Sequence, residues 1–299
     1  MKIILTKNHF LDLPSGFFDW QNAKIVIIPF GLESSVSYGR GTKNGPGAII
    51  DASQKVELLD EELKKEIYKN AAVATLNKIS PAKNIDQALN ELEDIVKMVF
   101  ESKKMPIILG GEHTLTKAPV NFFKNKFANL TILQFDAHAD LRDSIKNNKN
   151  SHGAVMRRCL ELSSDINLVQ VGIRSISNKE EDGREYDFWQ KEQNRIKTFW
   201  AGDMNKWQIS EIINSCGQNV YLTFDVDVFD PAIMPSTGTP EPGGLDWYRT
   251  IEIIKAVAEN RKIVGADFVE LAPIKGLHAP DFMMAKLIYK FIGYLNGFV

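Results

Sequence analysis

The sequence predicts a three-layer α/β/α fold with a mostly parallel central sheet. Short β-branched and aromatic apolar runs recur along the chain, and amphipathic segments lie between them. Acidic residues and histidines cluster immediately after several of those runs. Ligands of open parallel sheets gather outside the carboxyl ends of the strands, so the clusters point to a site at that edge.

Taken in order, the strand candidates are Ala23–Phe30, Pro106–Leu109, Leu130–Phe135, Leu168–Ile173, Val220–Phe224 and Ile263–Phe268. Each is nearly continuous in Val, Ile, Leu or Phe, as strands covered on both faces must be. Ile85–Phe100 carries its apolar residues on one helical face, and Trp247–Ala258 and Asp281–Leu295 show the same spacing. Asp246 is a candidate N-cap for the second of these helices. Gly-rich Glu33–Gly47 and polar Arg142–Asn150 are expected to be loops. No repeat or Pro/Ser-rich linker divides the chain, so residues 1–299 are expected to form a single domain.

Composition narrows the function classes. The chain has 36 Lys+Arg against 38 Asp+Glu, a formal net charge of -2, so no basic surplus exists to neutralise phosphates. Neither a nucleic-acid nor a membrane partner is expected. No apolar run approaches the ~20 residues of a membrane span, and the N-terminus lacks a signal-peptide pattern. Two cysteines, Cys159 and Cys216, fit a reducing compartment, and a cytoplasmic location is expected.

The strand ends carry the chemistry. Gly110-Gly111-Glu112-His113 follows one run, and Asp136-Ala137-His138-Ala139-Asp140 follows the next. Asp225-Val226-Asp227 and Glu270 follow two others. In an extended segment, residues at every second position face the same way, so Asp136, His138 and Asp140 can converge. Four Asp and two His suit a first-row divalent ion, Mn²⁺ especially, better than a thiolate zinc site. Six ligands exceed the needs of one ion and suit two, about 3.5–4 Å apart, that deprotonate a shared water. Alone, an Asp-x-His-x-Asp is a weak signal and Asp230-Pro231 is a turn. Together, so many buried carboxylates without a cation would cost several kcal/mol each.

These blocks resemble the ureohydrolases, the arginase and agmatinase family. The matching residues are Gly110–His113, Phe135–Asp140 and Phe224–Pro231, then Thr237-Gly238-Thr239-Pro240 and Gly243-Gly244-Leu245. The likeness runs in family order from about Ile25 to about Gly293. It implies one Mn²⁺ on His113, Asp136, Asp140 and Asp225, and a second on Asp136, His138, Asp225 and Asp227. Asp136 and Asp225 would bridge. A metal-bridging hydroxide would attack the guanidinium carbon, oriented by Asp140. His152, in Ser151-His152-Gly153, matches the proton-shuttling histidine, and Glu270 matches the carboxylate that pairs with the guanidinium. His9 and His278 match nothing, and Asp230 is expected to shape its loop. The resemblance also implies a homo-oligomer, trimeric or hexameric.

Within the family, Gly31–Gly47, Val56–Glu62 and Ser151–Arg158 look like the agmatinase branch. Arginases tend to have an Asn two residues beyond the Asp-x-His-x-Asp block, and this chain has Arg142. The implied reaction is agmatine plus water giving putrescine and urea. Ser236, and a loop Ser144–Asn150 without the Tyr frequent there, depart from the branch. They keep arginine, guanidinobutyrate, guanidinopropionate and aminopropylagmatine open as substrates. A single-metal zinc deacetylase and a catalytically inactive binding protein are the alternatives from other classes. The first would leave His113, Asp140 and Asp227 redundant.

Overall fold

A computed structural model of the chain describes residues 3–35 and 38–295. Its first strand, β1 (Ile25–Phe30), is buried along its whole length. After it come α1 (Gly45–Ser53), a small antiparallel hairpin of β2 (Leu59–Asp60) and β3 (Lys65–Glu66), and β4 (Val73–Thr75). The chain then alternates through α2 (Ile85–Glu101), β5 (Met105–Gly110), α3 (Lys117–Phe123) and β6 (Thr131–Phe135). It continues through α4 (Val155–Leu160), β7 (Asn167–Ile173), α5 (Glu185–Lys191), β8 (Ile196–Trp200) and α6 (Ile209–Ser215). It closes with β9 (Asn219–Asp225), α7 (Trp247–Asn260), β10 (Lys262–Val269) and α8 (Ala279–Tyr294).

Eight strands form one parallel sheet in the order β4-β1-β5-β10-β9-β6-β7-β8. Alternate side chains of each strand enter two separate apolar cores. Ile107, Leu133, Leu222 and Phe268 pack with α1, α6, α7 and α8, whereas Ile108, Ile132, Leu168 and Tyr221 pack with α2, α3 and α4. That is the expected three-layer arrangement. Among the described residues, no helix is long and apolar enough to cross a membrane.

All six expected strands are present, and the sheet adds two. β4 and β8 are its edges; β8 (IKTFW) is only partly buried, so it lacks the continuous apolar run that marks a covered strand. Two helices, α2 and α7, begin with side-chain caps: Asn84 Oδ1 accepts from Gln87 N (3.0 Å), and Asp246 Oδ1 from Arg249 N (2.8 Å). The expected loop Glu33–Gly47 ends early. α1 starts at Gly45 with Pro46 in its first turn, where the missing N–H costs nothing.

One polar row crosses the sheet. Thr198 on β8, Gln170 on β7, Gln134 on β6, Thr223 on β9 and Asp267 on β10 are successive in-register partners. The last four are fully buried. Thr198 Oγ1 donates to Gln170 Oε1, and Gln170 Nε2 to Gln134 Oε1, both at 2.8 Å. Thr223 Oγ1 donates to Asp267 Oδ1 (2.6 Å), which also receives Tyr221 OH (2.7 Å) and Thr116 Oγ1 (2.9 Å) on its other oxygen.

Candidate metal centre and cleft

The four strands whose ends carry the predicted ligands, β5, β10, β9 and β6, are consecutive at the middle of the sheet. Sequence separation therefore collapses into one crevice. The turn after β5 requires glycine at position 111, where a Cβ would lie 1.9 Å from the Leu32 carbonyl oxygen. That close crossing seats His113 over the ends of β9 and β6.

His113 Nδ1 lies 3.1 Å from Asp136 Oδ2, 3.0 Å from Asp140 Oδ2 and 3.5 Å from Asp225 Oδ2. His138 Nδ1 lies 2.9 Å from Asp227 Oδ2 and 3.7 Å from Asp136 Oδ1. Two donor groups result, His113–Asp136–Asp140 and Asp136–His138–Asp227, with Asp136 common to both. Asp225 stands beside the first group, its Oδ1 accepting from Asp227 N at 2.9 Å.

Backbone and side-chain donors fix these carboxylates from behind. Asp136 takes His138 N (2.6 Å) and Gln134 Nε2 (2.8 Å), and Asp227 takes Ala137 N (3.0 Å). The expected extended alternation holds for Asp136 and His138 only. β6 ends at Phe135, and Asp140 reaches the group through a left-handed backbone (φ 55°). Glu270 is likewise left-handed (φ 65°), its Oε1 accepting from His113 N at 2.7 Å. Strained backbone of this kind persists where the surroundings over-determine it, typically at functional sites.

The imidazole of His113 tests the fit of a cation. Its Nε2 lies 2.8 Å from Thr223 Oγ1, whose own proton goes to Asp267, so Nε2–H is the donor and Nδ1 is the nitrogen turned to the carboxylates. That Nδ1 is buried and makes no hydrogen bond despite the three carboxylates around it. With a cation in place of its proton, that nitrogen and the carboxylate oxygens make the donor set of a divalent ion, and the Thr223 hydroxyl behind Nε2–H is the kind of partner a metal-bound histidine has.

Without a cation the electrostatics are severe. Burial drives Asp225 well above its ordinary range, aided by Asp227 and Asp136, and lifts Asp140 to about 7. Burial also lifts Glu270 to about 8. It pulls both histidines down, but the facing carboxylates outweigh it, holding His138 at about 12 and His113 well above normal. For His152 burial, joined by the charges of His113 and His138, outweighs the pull of Glu112 and lowers it.

A cavity of about 170 Å³ opens on this floor. His113, His138, Asp140, Asp225, Asp227 and Glu270 line it, with His152 on its wall. Arg142, Ile145 and Tyr38 border it farther out. All the residues singled out in the sequence thus come together, except that Asp136 lies beneath the surface of the cavity. Asp230 shapes its loop as expected, accepting from Ala232, Gly243 and Gly244 N–H groups. His9 stacks on Phe18 (4.3 Å), and both cysteines are buried thiols.

Sequence reasoning missed Arg174. Its guanidinium donates to the carbonyls of Gly172, Asp227, Phe229 and Glu241 at 2.7–3.2 Å, stapling the β9 exit to the 239–244 loop. An Arg ending the apolar run Val171-Gly172-Ile173 was the available signal.

A central parallel sheet with an N/O donor cluster at its carboxyl edge is the architecture of the ureohydrolases, and the sequence matches the Arginase family over residues 23–293; the chain belongs to that family. It is therefore a hydrolase acting on guanidino compounds, and the single-metal deacetylase alternative falls away. Among relatives, it is 35% identical to an N(1)-aminopropylagmatine ureohydrolase of Synechocystis, covering 96% of both chains. It is 30% identical to an agmatinase of Pyrococcus horikoshii, covering 95% of both. The agmatine ureohydrolase of Thermoplasma volcanium superposes with a TM-score of 0.83 at 27% identity, over 97% of this chain and 95% of that one.

Proposed function

We propose that the chain is a dimanganese agmatinase, converting agmatine and water to putrescine and urea. His113, Asp136, Asp140 and Asp225 would hold one ion, and Asp136, His138, Asp225 and Asp227 the other. Bound there, the pair would lower the pKa of a water enough to supply a nucleophile at neutral pH.

The protein's own groups do the rest. The Glu270 carboxylate, oriented by His113 N–H, pairs with the guanidinium and is brought back to its charged form by that cation. Asp140 accepts a hydrogen bond from the attacking oxygen. His152 passes a proton to the leaving amine nitrogen as its C–N bond breaks.

The observation that favours agmatine over arginine is the state of Arg142. Its guanidinium faces Asp182 (3.4 Å) and Glu185 (3.7 Å), so its charge is matched by the chain's own acids and not reserved for a substrate carboxylate. Aminopropylagmatine is the second reading, supported by the Synechocystis relative. We further propose that the chain acts as a single domain and as a cytoplasmic homo-oligomer.

Urea release with Mn²⁺ over agmatine, aminopropylagmatine, arginine, guanidinobutyrate and guanidinopropionate tests the assignment. Agmatine should give the highest kcat/KM. Arginine or a guanidino acid matching it would overturn the substrate, while aminopropylagmatine exceeding it would select the second reading.

A further inference from the structure

His152 is fastened to a buried carboxylate that takes no part in the donor groups described above. Its Nδ1 lies 3.2 Å from Ser35 Oγ, and its backbone N–H donates to the same oxygen at 3.1 Å. Ser35 Oγ lies 3.1 Å from Glu112 Oε1. Glu112 is fully buried beside His113 and receives both groups of two successive serines. Ser34 N and Ser35 N donate to Oε2 at 2.6 Å each, and Ser34 Oγ donates to Oε1 at 2.9 Å.

The hydrogen inventory fixes the direction of the chain. A carboxylate only accepts, so the single hydroxyl proton of Ser35 is committed to Glu112. The Ser35 oxygen can then only accept from the imidazole, which places a hydrogen on Nδ1. Nε2 is then the nitrogen that gains and loses the proton, on a ring that lines the cleft.

We propose that Ser35, held by Glu112, is the positioning residue for His152. It selects the Nδ1–H form of the ring, aims Nε2 at the leaving nitrogen, and supports the imidazolium through Nδ1–H. The proton on Nε2 goes to the amine as the C–N bond breaks, and solvent returns it to the ring. Turnover is thereby coupled to the segment that follows β1, outside the strand-end ligands.

The inference rests on the role proposed for His152, and the experiment separates the two. Ser35→Thr and Ser35→Val have the same shape and differ only in the hydroxyl. In the Mn²⁺-loaded enzyme, S35V should lose about 10- to 100-fold in kcat, the usual scale for supporting groups, with KM and metal content unchanged. S35T should stay within about threefold of wild type by the same scale. S35V in a His152→Ala background should cost less than about twofold, because the ring it positions is gone. If S35T is no better than S35V, or S35V matches wild type while H152A is impaired, the positioning role is overturned. If H152A keeps full kcat, the reading of His152 itself fails, whatever Ser35 does. If H152A is too slow to assay, the Thr/Val pair decides alone.

Discussion

The floor of the cleft and its outer border are held by different means. Floor residues sit at the ends of four adjacent central strands, almost wholly buried, with a second layer of hydrogen bonds behind them. Border residues sit on loops: Tyr38 is 84% exposed, and the Arg142 guanidinium makes long contacts, 3.4 Å to Asp182 and 3.7 Å to Glu185. A buried floor whose carboxylates are held from behind keeps its geometry because any shift strands a polar group at a cost of about 1–3 kcal/mol. Loop side chains in water carry no such penalty, so substrate choice can change there without disturbing the reaction centre.

The sharpest test removes one floor ligand. Asp227→Ala should lower the metal count from two towards one and cut urea release more than about 10³-fold, since the proposed two-ion site would be left with one. Metal analysis that still finds two ions would contradict the ligand assignment. Glu270→Gln keeps the shape but not the charge, and kcat/KM should fall about 10²- to 10³-fold at constant metal content. An unchanged kcat/KM would remove Glu270 from guanidinium recognition.

A third prediction concerns pH. In the metal-free protein Asp140, Asp225 and Glu270 are raised, and so are His113 and His138. The folded state then binds more protons than the unfolded one. Stability is present below the unfolded pKa values and is lost as pH rises, from about 4 through the acids and from about 6.5 through the histidines. Asp136, held low by the two histidines despite its burial, opposes this only in the acid range. A divalent ion replaces those protons, so the Tm gain on adding Mn²⁺ should widen from about pH 5.5 to about pH 8. A gain that stays flat across that range would break the distinction between floor and border.

The smallest effect belongs to the border. Arg142→Ala should leave kcat unchanged and move KM for agmatine by less than about threefold, as expected of a partly exposed pair. A tenfold loss specific to arginine would instead make Arg142 a carboxylate partner, contrary to the proposed substrate.

The floor was legible in the sequence because its residues fall in short runs directly after continuous apolar strands. Gly110–His113 and Asp136–Asp140 need only the rule that parallel strands present their carboxyl ends together. What lies behind the floor was not legible. Gln134 and Gln170 look like interruptions of apolar strands until pairing sets them side by side, and Asp267 sits inside a run that reads as pure core. Ser35 and Glu112 are 77 residues apart, and no local pattern announces their contact. β8 escaped notice because an edge strand needs no continuous apolar run.

The polar row from Thr198 to Asp267 bears on how the sheet assembles. Parallel strands of Val, Ile and Leu are nearly interchangeable, and a slip of one residue would still bury apolar side chains on both faces. It would also turn Gln134, Gln170 or Asp267 toward the opposite core, away from its partners. The row thus acts as a key that admits one alignment of five strands. Because Gln134 and Thr223 each precede a proposed ligand by two residues, the alignment that satisfies the row also sets Asp136 and Asp225 level with each other.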